Sequence, residues 1–95
     1  MTDEQFLKAV LKEVKRARKL FPQPNAINAA MVEEVGEVSK ALMYEPWSAV
    51  IKEAIQVAAM ALRLSIEGDP CFYDWRSRVV HEGGERYMRN QDIMP

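Results

Sequence analysis

A single cysteine, Cys71, rules out an intramolecular disulfide, and the single histidine, His81, has no second histidine or cysteine in pattern with it to signal a zinc site. The longest apolar run, Val57 to Leu62, falls far short of the roughly 20 residues that cross a bilayer. Charge of one sign is also lacking. Thirteen basic and 14 acidic groups leave a net charge of −1, so no overall field draws the chain to nucleic acid or an anionic membrane. Met1-Thr2-Asp3-Glu4 has neither the basic nor the apolar region of a signal peptide, and the expected location is the cytoplasm. There is no internal repeat, low-complexity tract or linker to divide the chain, so residues 1–95 are read as one domain whose tail, from about residue 83, is the least patterned part.

What remains is helix-forming sequence. Hydrophobic residues make up 48% and charged residues 28% of 95, the balance of a folded globular protein. A domain this small buries only roughly 60 to 65% of its extended-chain surface when it folds alone. From Asp3 to Phe21, Phe6, Val10, Val14, Ala17 and Phe21 recur at helical spacing, and Lys8, Lys12, Lys15, Arg16 and Lys19 lie outside that stripe. Pro22 and Pro24 stop this helix, and Asn25 is placed to cap the next. The second helix, from near Ala26 to about Tyr44, has Ile27, Met31, Val35, Val38 and Leu42 as its apolar stripe. After Glu45-Pro46-Trp47, with Ser48 as the expected cap, a third helix runs from about Ala49 to Glu67 and ends at Gly68-Asp69-Pro70. The third helix is apolar around most of its circumference, which in so short a chain predicts burial against another subunit. A shorter fourth helix with Phe72, Trp75, Val79 and Val80 is expected before Gly83-Gly84. The expected fold is all-α, a bundle of about four helices completed by oligomerisation.

Chemistry concentrates on the second and third helices. Glu33, Glu34 and Glu37 are followed, after fifteen intervening residues, by Glu53 and then Gln56. Glu34 and Glu37 are three apart and share one helical face, with Glu34 at the edge of the apolar stripe between Ala30 and Ala41. Like-charged carboxylates destabilise a helix by a few tenths of a kcal/mol per pair, more where desolvated, so a cation that relieves the repulsion stabilises it. Mg²⁺ suits such a set, because it prefers oxygen ligands and completes its octahedron with water and substrate phosphates. Antiparallel pairing of the two helices would set Glu53 opposite Glu34 and Glu37.

The order E-E-x-x-E at Glu33, Glu34 and Glu37, then Glu53, resembles the metal-binding signature of the MazG-like all-α nucleoside triphosphate pyrophosphohydrolases, over about Ala26 to Leu64. The resemblance implies Mg²⁺, with Mn²⁺ as a substitute, held by Glu34, Glu37, Glu53 and Gln56, and a dimer or tetramer. It implies hydrolysis of a nucleoside triphosphate to the monophosphate and pyrophosphate, with Glu33 or Glu34 as the catalytic carboxylate. Gln56 departs from the pattern, since the family has aspartate there; an amide oxygen brings no charge and cannot bridge two ions. A catalytically inactive helical binding or assembly module is therefore the alternative. Lys52, Arg63 and Arg86 are candidates for holding substrate phosphates, with Arg76 and Arg89 behind them, and Tyr44, Trp47 and Trp75 for stacking on a base.

Two plainer readings compete. Lys52, Glu53, Gln56, Arg63 and Glu67 form one contiguous stripe, as a solvent-facing side would. The basic face of the first helix offers phosphate contacts to a nucleic acid, but it has no interleaved aromatic set and no helix-turn-helix signature.

Overall fold

The computed structural model describes residues 1–73 and residue 76. Three helices, α1 (Asp3–Leu20), α2 (Ile27–Tyr44) and α3 (Trp47–Glu67), are followed by a short 3-10 turn, Pro70–Phe72. The all-helical expectation holds for these residues. The fourth helix beyond that turn, with Trp75, Val79 and Val80, and the tail with His81, Arg86 and Arg89 lie outside the described residues.

Helix α1 begins with a reciprocal cap: Gln5 N–H donates to Thr2 Oγ1 at 3.2 Å, and Thr2 N–H donates to Gln5 Oε1 at 2.8 Å. Asp3 and Glu4 in its first turn and Arg18 and Lys19 in its last complement the helix dipole. Its buried face is Val10, Val14 and Ala17, and Val10 and Val14 form one core cluster with Ala59 of α3, against which Ile55, Ala58 and Leu62 pack.

Helix α3 is the centre of the molecule. Both α1 and α2 pack along it and hardly touch each other. Two residues, Glu45 and Pro46, join α2 to α3, so these two helices form an antiparallel hairpin. The apolar circumference of α3 is thus covered on two sides within one chain, while Trp47, Ala61 and Ile66 stay exposed.

Helix α2 turns only part of its expected stripe inward. Ile27 is buried and Met31 and Val38 are half-buried, whereas Val35 and Leu42 are exposed; Ala41, outside the stripe, is buried. The face against α3 is the one that runs through Ala30, Glu34 and Ala41, whose small alanines let the helices approach.

The expected caps also differ. Helix α2 starts from Ala26, which takes the left-handed conformation (φ 55°, ψ 36°), and Asn25 gives it no side-chain cap. The open N–H groups are met from across the hairpin instead. The buried Asp69 carboxylate accepts from Asn28 N–H at 2.9 Å and, through its other oxygen, from Cys71 N–H at 3.1 Å. Helix α3 starts at Trp47 with Pro46 as its N-cap, so Ser48 lies inside the first turn. At its other end Gly68 has φ +77°, and a Cβ there would run into the Tyr73 hydroxyl, which donates to Glu67 O at 3.3 Å. Only glycine fits that corner.

Candidate functional site

Seven carboxylate, amide or cationic side chains were expected to act together in this part of the chain, and the fold divides them among three places. The first is the α2–α3 contact. Glu34, half-buried in mid-helix, lies with its carboxyl within hydrogen-bonding reach of Glu53 on α3. Glu34 Oε2 is closed to solvent, and no donor reaches it among the described residues. The Glu34 carboxyl is pushed up to about 7 from its ordinary 4.5. The Glu53 hydrogen bond is the largest cause, followed by desolvation and by the negative charges of Glu53, Glu33 and Glu37. Near neutral pH the protonated form of the Glu34 carboxyl is therefore favoured far more than for an ordinary glutamate.

Glu37 is half-buried one turn along α2, and Glu33 is exposed beside Glu34. Both contribute field to Glu34 without closing in on it. Among the described residues, no three His, Cys, Asp or Glu side chains converge closely enough to form a metal-binding group.

The second place is the α1–α3 contact. Gln56 lines a groove between α1 and α3 beside Glu13 of α1, and Glu13 accepts from Arg16 through both oxygens, at 2.5 and 2.9 Å. These contacts, above all the Arg16 guanidinium, keep the Glu13 carboxyl below its usual range. Gln56 thus faces α1, one helical turn from Glu53. Lys52 is exposed on the same side and lines the same groove.

The third place is the C-terminal end of α3. Arg63 is 3% exposed, and its guanidinium donates to Glu67 Oε1 at 2.7 Å and to Phe21 O at 2.9 Å. Glu67 also accepts from Arg18 at 2.9 Å. The expected phosphate ligand Arg63 thus has its donors engaged in tying α3 to the end of α1. The expected solvent-facing stripe is broken there as well: Lys52 is exposed, Glu53 and Gln56 are half-buried, and Arg63 is buried. Arg86, the remaining phosphate candidate, lies outside the described residues.

Sequence reasoning missed Glu13 as the neighbour of Gln56. Its signal was present: Glu13 is the one acid between Lys12 and Lys15-Arg16 on an otherwise basic face. It also missed Asp69, a contact 41 residues away from Asn28 that no local pattern encodes.

Fold and site together define a three-helix all-α domain, in its described residues, with a carboxylate pair between the two helices of a hairpin. No family model, curated protein or solved structure matches the chain.

Proposed function

We propose that the chain is a Mg²⁺-dependent nucleoside triphosphate pyrophosphohydrolase of the MazG-like kind. The single observation that supports this reading most is the Glu34–Glu53 pair, two carboxyls from facing helices pressed together with one oxygen closed to solvent and unpartnered. A repulsive, partly desolvated oxygen pair fits a hard divalent cation, which replaces the missing proton. Helix-bundle carboxylate sites are built in this way.

Glu34 and Glu53 would hold the ion, with Glu37 one turn away on the same face. When bound, Mg²⁺ supplies charge for the phosphate oxygens and lowers the pKa of water. Glu33, exposed beside Glu34, orients the attacking water and accepts its proton. Attack on the phosphorus next to the sugar forms the new P–O bond as the bond to the bridging oxygen breaks, giving the nucleoside monophosphate and pyrophosphate. Val32, Val35, Leu42 and Met43 are exposed on α2, and a second copy of the chain is the partner that would cover them.

One observation favours the alternative, an inactive binding or assembly module: Gln56 is neutral and lies beside Glu13 on the α1 side, and the described acids do not gather in threes. Pyrophosphate release from a panel of nucleoside triphosphates, with and without Mg²⁺ or Mn²⁺, decides between them. The hydrolase reading expects metal-dependent release that falls at least about 100-fold in Glu34→Gln and Glu53→Gln. Absence of release from every nucleotide at saturating metal leaves the assembly module.

A further inference from the structure

The charges that line the groove between α1 and α3 do not cancel. Its volume, about 620 Å³, is within the range of small-molecule sites. The two helices run in the same direction, since Glu13 lies beside Gln56 and, further along, Arg18 pairs with Glu67. Lys12 and Arg16, one turn apart, therefore stand along the α1 wall, and Lys52 and Gln56, one turn apart, along the α3 wall. Among the described residues three cations thus line the groove with one carboxylate, Glu13. Glu53, next to Lys52 in sequence, does not add a second, because its carboxyl meets Glu34 of α2. Gln56 is a neutral amide and leaves the excess of positive charge in place.

We propose that this groove binds a polyphosphate chain, with Lys12 and Arg16 of α1 on one side of it and Lys52 of α3 on the other. Cations set along both walls suit an anion whose charge is spread along its length, because successive phosphates meet different cations. Arg16 gives two donors to Glu13, and its planar fork matches a phosphate as well as a carboxylate, so the ligand competes with Glu13 for it. Glu13 thereby holds Arg16 at the groove and limits the affinity. The site requires only the polyphosphate; that the chain belongs to a nucleoside triphosphate rests on the hydrolase reading. It deepens that reading, because Lys52 and Gln56 flank Glu53 on α3 and the seated chain runs beside the acidic pair.

The test is calorimetric binding of inorganic triphosphate and orthophosphate in EDTA, where no metal contributes, with circular dichroism to confirm that each variant folds. Triphosphate binds more tightly than orthophosphate. Lys12→Ala combined with Lys52→Ala weakens triphosphate binding at least about tenfold, the loss of one charge-assisted hydrogen bond or more. Lys8→Ala combined with Lys15→Ala makes the same change in net charge at exposed positions of α1 outside the groove, and its effect is under about threefold in the screening of physiological salt. Glu13→Gln tightens binding, since the phosphates then take Arg16 without a competitor, and Gln56→Asp weakens it. The proposal is overturned if triphosphate does not bind, if orthophosphate binds equally well, if the groove lysines matter no more than Lys8 and Lys15, or if Glu13→Gln weakens binding. Metal-dependent pyrophosphate release with an unchanged KM in the Lys12, Lys52 double variant would keep the hydrolase and sink the groove; triphosphate binding in the groove without release from any nucleotide would do the reverse.

Discussion

Glu34 sits where a helix of this kind ordinarily places a leucine or alanine, on the face of α2 that meets α3. Its pKa of about 7 against an ordinary 4.5 means that the folded state takes up a proton the unfolded chain does not. The contribution from this group is therefore greatest below about pH 4.5, and stability declines as pH rises toward 7. Glu34→Gln, which mimics the protonated form, should melt like the wild type near pH 5 and above it near pH 8 in EDTA. The difference should be on the order of 1 kcal/mol after solvent screening, or roughly 4–8 °C in Tm. Equal melting temperatures across that range would mean the carboxyl is not held against Glu53. The acids themselves were legible in the sequence, because three glutamates in five positions stand out from an apolar helix. Which of them would be pressed inward was not. Periodicity finds an apolar stripe, but α2 has two faces that tolerate burial, and the alanines beside Glu34 pack closer than the branched side chains of Val35 and Leu42 can.

Between elements, the strongest polar tie is Arg63. It joins α3 to the carbonyl of Phe21 at the end of α1 and to Glu67, whose second partner is Arg18. Glu67 is held below its usual carboxylate range, chiefly by Arg63. Removing a buried charge from such a network costs about 3–5 kcal/mol, because the partner is left desolvated. Arg63→Met should fall at the low end, since Arg18 still faces Glu67, and urea melts would measure it; a loss under about 1 kcal/mol would mean the network is ornamental to the fold. The sequence placed Arg63 on a solvent stripe with Lys52 and Glu53, and that position follows from helical spacing alone. Burial came from the turn after α1, whose backbone folds over the last turns of α3, a contact between residues 42 apart. The same distance problem hid Asp69. Its capping of α2 closes the hairpin from beyond the far end of α3, while a search for a cap looks next to the helix.

At the scale of the molecule, α3 meets one helix on each side, and the chain leaves Val35 48%, Leu42 58% and Met43 66% exposed on α2. A domain of 95 residues has little apolar surface to spare. If a second copy covers this face, sedimentation should give at least a dimer, and Val35→Lys with Leu42→Lys should yield a folded monomer; a wild-type monomer at all concentrations would remove the proposed interface. The order of the three described helices, the antiparallel hairpin and the position of the glutamates along α2 and α3 could be read from spacing and punctuation, since those are local properties; the expected fourth helix falls outside the described residues. The rotation of α2 and the turning of Gln56 toward α1 could not, because each depends on what the opposite helix presents. The account stands most directly on the claim that the Glu34–Glu53 pair takes a divalent cation in place of a proton. The measurement is thermal stability against Mg²⁺ concentration near pH 8, for the wild type beside Glu34→Gln. At about ten times its dissociation constant, the ion should stabilise the wild type by about 1.4 kcal/mol and leave the variant unchanged. No stabilisation, or equal stabilisation of both proteins, would contradict it.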